Sequence, residues 1–117
     1  MGKLTTHVLD TAHGRPAAGL RIELWRLNGD QRLALRDLYT GAEGRTGEPL
    51  LDGAGFQRGE YELVFHAGDY FAAAGVALPE PRFLDRIVLR FGVADVAAHY
   101  HVPLLVSPWS YSTYRGS

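Results

Sequence analysis

"GEYELVFHAGDYFAAAG", residues 59–75, holds two periodicities back to back. In its first half Tyr61, Leu63 and Phe65 alternate with Glu60, Glu62 and Val64. That period of two sends successive side chains to opposite faces of a strand. In "GDYFAAAG" (68–75) the alternation stops; Asp69 can cap a helix, the alanines favour one, and Gly75 can end it. The stretch predicts a strand followed by one short helix near 69–75. Working outward, the period stays at two. "LRIELWRL" (20–27) sets Ile22 and Leu24 against Arg21 and Glu23, and "LDRIVLRFGV" (84–93) sets Ile87, Leu89 and Phe91 against Arg86, Val88 and Arg90. "LTTHVLDT" (4–11), "RLALRDLYT" (32–40), "HYHVPLLV" (99–106) and "SYSTYRG" (110–116) read as further strands. Turn chemistry separates them, in "HGRPAAG" (13–19), "NGD" (28–30), "TGAEGRTGEP" (40–49) and "DGAG" (52–55). Seven or eight short strands so spaced predict an all-β antiparallel sandwich or barrel. "LPEPRF" (78–83) reads as a Pro-rich connector inside one domain, and no internal repeat is present.

Composition narrows the classes. A chain of 117 residues predicts a single domain over 1–117. Hydrophobic residues at 46% and charged residues at 21% are ordinary for a soluble globular protein. A formal net charge of -1 offers no electrostatic footprint for nucleic acid or an anionic membrane surface. With no cysteine, disulfides, a thiol nucleophile and a thiolate metal site are excluded. "MGKLTTHVLD" lacks the apolar run of a signal peptide, Gly2 opens no supported myristoylation motif, and no stretch approaches the roughly 20 apolar residues of a membrane span. A cytoplasmic location is expected.

The alternation also says where the chemistry-bearing side chains point. His99 and His101 share a face, with Tyr100 and Val102 on the other. If Leu4, Thr6 and Val8 face the core, His7 faces outward with Thr5. An outer sheet face makes a pocket only when another copy covers it. Histidine titrates near neutral pH and is the usual general base. The same three imidazoles, His7, His99 and His101, would also suit a zinc ion with a bound water. The residue pattern leaves base, metal ligand and surface residue all open. His13, in a Gly/Pro loop, and His66, at a strand end, read as structural or exposed; Arg45 reads as a loop arginine, and Arg115 stands close to the end of the sequence.

Together, "LTTHVLDTAHGRPAAG", "GAEGRTG", "FHAGDYFAA", "FLDRIVLRFGV" and "AHYHVPLLVSPWSYSTYRGS" resemble the 5-hydroxyisourate-hydrolysing branch of the transthyretin family over essentially the whole chain. The most specific part is Tyr114-Arg115-Gly116-Ser117, which separates the hydrolases from the hormone-carrying transthyretins. The resemblance implies a transthyretin-like sandwich of two four-stranded antiparallel sheets with one short helix. It implies a homotetramer built as a dimer of dimers, with active sites at the dimer–dimer interface. It implies hydrolysis of 5-hydroxyisourate to 2-oxo-4-hydroxy-4-carboxy-5-ureidoimidazoline in urate degradation, without a cofactor. In the implied site His7 and His101 orient and deprotonate the attacking water, and Arg45 holds the carbonyl edge and stabilises negative charge. Ser117 binds substrate or water through its hydroxyl or a terminal carboxylate. His99, Tyr114, Arg115 and Gly116 complete the substrate-binding set, with His99 tuning His101 and Arg115 anchoring the terminal segment or the ring. Two alternatives stand beside this reading: a non-catalytic transthyretin-like small-molecule carrier, and a zinc hydrolase using His7, His99 and His101.

Overall fold

The structure is a computed structural model and describes residues 2–117; Met1, the first residue of the expected 1–117 domain, lies outside the described residues. The described chain forms strands β1 (Lys3–Thr5), β2 (Val8–Asp10), β3 (Arg15–Pro16), β4 (Arg21–Asn28), β5 (Gln31–Tyr39), β6 (Leu51–Asp52) and β7 (Gly59–His66). The helix α1 (Ala67–Ala73) follows, then β8 (Arg86–Val93), β9 (His99–His101), β10 (Leu104–Ser107) and β11 (Ser110–Thr113).

One layer is the fully antiparallel sheet β5-β4-β7-β8. The other layer is two short sheets in tandem, β6-β1-β9 and β11-β10-β2-β3. Thr6 and His7 alone separate β1 from β2, and Val102 and Pro103 alone separate β9 from β10. The two long strands bend together, because pairing carries across the break. Val102 N–H donates to the Thr5 carbonyl and Leu104 N–H to the His7 carbonyl, both at 2.9 Å. Pro103 has no N–H to give, and the Val102 carbonyl accepts from the buried Thr6 hydroxyl at 2.7 Å. Counted through the bend, each layer is four strands wide, with β3 and β6 sharing one edge position of the second, and the whole is the sandwich expected from the sequence. One feature is added: β1 with β9 and β2 with β10 pair in parallel, at the centre of the second layer.

The core lies between the layers, where Leu4, Val8, Leu104 and Val106 meet Ile22, Leu24, Tyr61, Leu63 and Phe65, all essentially inaccessible to water. Each such side chain contributes roughly 1.5–3 kcal/mol of transfer free energy. The opposite face of β7 is buried as well. Glu62 is kept there by Arg90 at 2.9 Å and Arg32 at 3.1 Å, so that its charge is paired where it is desolvated.

The helix differs from its expected bounds by about one half-turn. It continues directly from β7, with His66 at the N-cap position and no side-chain capping bond. Asp69 lies in the first turn and is claimed by Arg82 at 2.6 Å, so it does not cap. Gly75, at φ +88°, does end the helix in the left-handed conformation expected of it. No helix among the described residues is long and apolar enough to cross a membrane.

Candidate active site

The outward face of the bent strands carries the histidines. Tyr100 and Val102 are buried beneath, whereas Thr5, His7, His99 and His101 are half-buried on the other side. Parallel pairing sets Lys3 beside His99 and Thr5 beside His101. The Thr5 hydroxyl thereby lies between two imidazoles, 2.7 Å from His99 Nε2 and 2.7 Å from His101 Nδ1. The two rings stand edge to face, 6.1 Å apart.

His7 sits in the bend itself, and its Nε2–H donates to the Glu43 carbonyl at 2.9 Å. That bond assigns the proton to Nε2 and leaves a lone pair on Nδ1 of the neutral ring. Glu43 belongs to the 40–49 loop, which is stitched down at its next residue. Gly44 adopts φ +75°, and a Cβ there would lie 2.4 Å from the Val8 carbonyl oxygen. The closeness is used: Val8 N–H donates to the Gly44 carbonyl at 2.9 Å. Only glycine tolerates both the left-handed backbone and that approach. The tight turn at Gly44 delivers Arg45 to the same face, exposed and without an ion pair among the described residues. A groove of about 500 Å³ opens beside it, lined among others by Lys3, Thr5, Glu43, Arg45 and Thr46.

The electrostatics tie these groups to His101. Burial holds its pKa below the ordinary imidazole value, and the nearby charges of Arg45, His99 and His7 push it the same way. His101 is therefore a neutral imidazole near pH 7, able to accept a proton.

The terminal segment closes the far side of His101. Gly116 N–H donates to the His101 carbonyl at 2.7 Å, and His101 N–H donates back to Gly116 at 3.3 Å. A Cβ on Gly116 would come within 3.1 Å of His101 Cδ2. Ser117 follows, exposed, one residue beyond this bridge. Tyr114 and Arg115 go elsewhere. Both line a groove of about 440 Å³ with Val88, Phe91 and Tyr100. The Arg115 guanidinium stacks over the Tyr100 ring at 4.1 Å, on the face turned away from the histidines. Among the residues expected at the site, the structure thus gathers His7, Arg45, His99, His101 and Gly116, and separates Tyr114 and Arg115 from them.

Among the described residues no three His, Cys, Asp or Glu side chains are arranged to hold a metal ion. One nitrogen of each ring is engaged, His99 Nε2 and His101 Nδ1 at the Thr5 hydroxyl and His7 Nε2 at the Glu43 carbonyl. The two remaining histidines are structural: His66 is buried against Glu23 at 2.5 Å, and His13 Nδ1 contacts Asp10 at 2.7 Å. Three contributors escaped the sequence reading: the Thr5 hydroxyl, the Glu43 carbonyl and the turn at Gly44. Of these only Thr5 left a signal, its shared face with His7.

A family model described as HIUase/Transthyretin matches residues 4–116. The chain is 65% identical over 116 residues to 5-hydroxyisourate hydrolase 2 of Rhizobium meliloti, covering 99% of this chain and 97% of that one. Its structure is similar to that of Klebsiella pneumoniae 5-hydroxyisourate hydrolase, with 35% identity, a TM-score of 0.81 and complete coverage of both chains. It is also similar to part of an (S)-allantoin synthase crystal structure, with 50% identity and a TM-score of 0.94, covering 99% of this chain and 44% of that one.

Proposed function

The chain belongs to the HIUase/transthyretin family, and from that premise we propose that it hydrolyses 5-hydroxyisourate at the histidine face. The observation that carries the reading is His101, a half-buried imidazole held neutral beside an unpaired guanidinium. Ring opening adds water to a carbonyl carbon. The proton leaves water for His101 as the C–O bond forms. Charge collects on the former carbonyl oxygen, where the planar donor fork of Arg45 meets it. Collapse breaks the C–N bond, and the departing nitrogen takes the proton back from His101. His7, fixed by Glu43, offers Nδ1 to orient the same water. Ser117 supplies a hydroxyl to substrate or water beyond the Gly116 bridge. Arg115 and Tyr114 serve by anchoring the segment that carries it. The product is 2-oxo-4-hydroxy-4-carboxy-5-ureidoimidazoline.

We further propose that residues 1–117 act as one domain in the cytoplasm, assembled as a dimer of dimers with sites between the dimers. In support, β8 and β11 are edge strands. Trp109, Tyr111, Tyr114 and Val88 are left exposed on or beside them, and such edges are liable to pair with further strands. A carrier reading is disfavoured by the site itself, since a passive apolar ligand gains nothing from a neutral base facing a free arginine.

The test is the absorbance-monitored decay of freshly generated 5-hydroxyisourate with and without the protein. Acceleration over the spontaneous reaction is expected; an unchanged decay overturns the proposal.

A further inference from the structure

We propose that Thr5 is a positioning residue that sets the tautomer of His101, and that His99 acts through Thr5 rather than on the substrate. This rests on the hydrolase reading above. The observation is a hydroxyl with a single proton, 2.7 Å from His99 Nε2 and 2.7 Å from His101 Nδ1. A threonine hydroxyl donates once. The hydroxyl has no other acceptor within hydrogen-bond reach among the described residues, so its proton goes to one ring nitrogen and the other nitrogen donates its own to the oxygen. The two histidines therefore carry opposite protonation at the nitrogens that face Thr5. Fixing one ring fixes the other.

Two arrangements satisfy this rule. In the first, His101 Nδ1–H donates to Thr5, and Thr5 donates to His99 Nε2. The lone pair of His101 is then on Nε2, the nitrogen that Thr5 leaves free. In the second, all the protons are reversed, and His101 turns an N–H outward. The charges decide between them. The Arg45 charge acts on His101, and a cation stabilises a lone pair on the nitrogen turned away from Thr5 and repels an N–H there. The first arrangement holds, and His101 Nε2 is the proton acceptor.

The same chain of bonds supports the ring after it has accepted a proton. The imidazolium keeps its Nδ1–H on the Thr5 oxygen, and Thr5 keeps its own proton on His99. No bond has to be remade during the step. His99 is the terminal acceptor of this chain of bonds and needs no contact with substrate.

Thr5→Val preserves the shape and removes the hydroxyl. A hydrogen bond to a group that becomes charged is worth about ten- to a hundredfold in rate, so kcat should fall by that factor with KM nearly unchanged. Thr5→Ser should recover most of the loss, because the proton and the lone pairs return. Histidine-labelled nitrogen NMR at a pH where the rings are neutral reads the tautomers without any substrate. The parent protein and Thr5→Ser should show His101 protonated at Nδ1, and Thr5→Val should show it shifted towards Nε2. A folded Thr5→Val with the parent kcat overturns the proposal. So does a parent His101 protonated at Nε2, a measurement that stands even if Thr5→Val fails to fold. If the parent protein does not hydrolyse 5-hydroxyisourate, the functional reading fails while the tautomer result is still read.

Discussion

Gly116→Ala tests how tightly the base is held. A methyl carbon there would lie 3.1 Å from His101 Cδ2, 3.2 Å from its Cβ and 3.5 Å from its Cγ. Carbon pairs settle at about 3.5–4.0 Å, so the imidazole must retreat by about half an ångström. It cannot retreat freely, because Nδ1 is 2.7 Å from the Thr5 hydroxyl. The displacement stretches or bends that bond towards the edge of the hydrogen-bonding range. A misplacement of about 1 Å can cost on the order of a hundredfold in rate, so half of that should cost about tenfold in kcat. Stability should change by less than about 1 kcal/mol, since Gly116 has no positive φ to strain and is not in the core. The assay is kcat and KM from the decay of 5-hydroxyisourate, with Tm measured on the same sample. A folded Gly116→Ala at the parent kcat would refute the reasoning: the terminal segment, not the ring, would be the part that yields.

Arg45→Lys should lose about a hundredfold in kcat/KM, because a point charge does not replace a bidentate fork at a developing oxyanion; steady-state kinetics that match the parent would remove Arg45 from the site. The base works only when neutral, so kcat/KM should fall on acidification. Burial and its cationic neighbours hold the His101 pKa below 6.5, so the fall should lie below that value; a pH–rate profile whose acid limb lies above 6.5 would contradict the electrostatics. Gly44→Ala should lower stability by at least about 2 kcal/mol, through the left-handed backbone and the approach to the Val8 carbonyl, and a denaturant midpoint equal to the parent's would show that the loop is not pinned there.

Much of this molecule is legible one residue at a time. The strand at 59–66 ends where its alternation ends, because a half-buried strand writes its two faces directly into the sequence. The same rule put Leu4, Thr6 and Val8 inward and His7 outward, as the structure has them. What stayed hidden depends on distant partners. "LTTHVLDT" and "HYHVPLLV" read as unbroken strands, and both break beside Pro103, which has no N–H to pair, where the Val102 carbonyl accepts from the hydroxyl of Thr6, nearly a hundred residues away in sequence. Two-residue strands such as β3 and β6 are too short to carry a period, and their pairing comes from the strands beside them. The parallel pairing of β1 with β9 leaves no local trace. The histidines were legible because their chemistry is distinctive. Thr5 was legible only as a neighbour of His7 on one face: a threonine on a strand is ordinary, and its role arises from two imidazoles brought from the other end of the chain.

The most direct measurement is the turnover of 5-hydroxyisourate by the parent protein and by His101→Asn at equal concentrations of folded chain. The imidazole is half-exposed, so its removal opens no core cavity and Tm should hold. The account predicts that the parent accelerates ring opening over the spontaneous reaction and that His101→Asn loses on the order of 10²–10⁴-fold of that acceleration. Equal turnover by the two proteins would contradict it, and the proton acceptor would have to be sought away from His101.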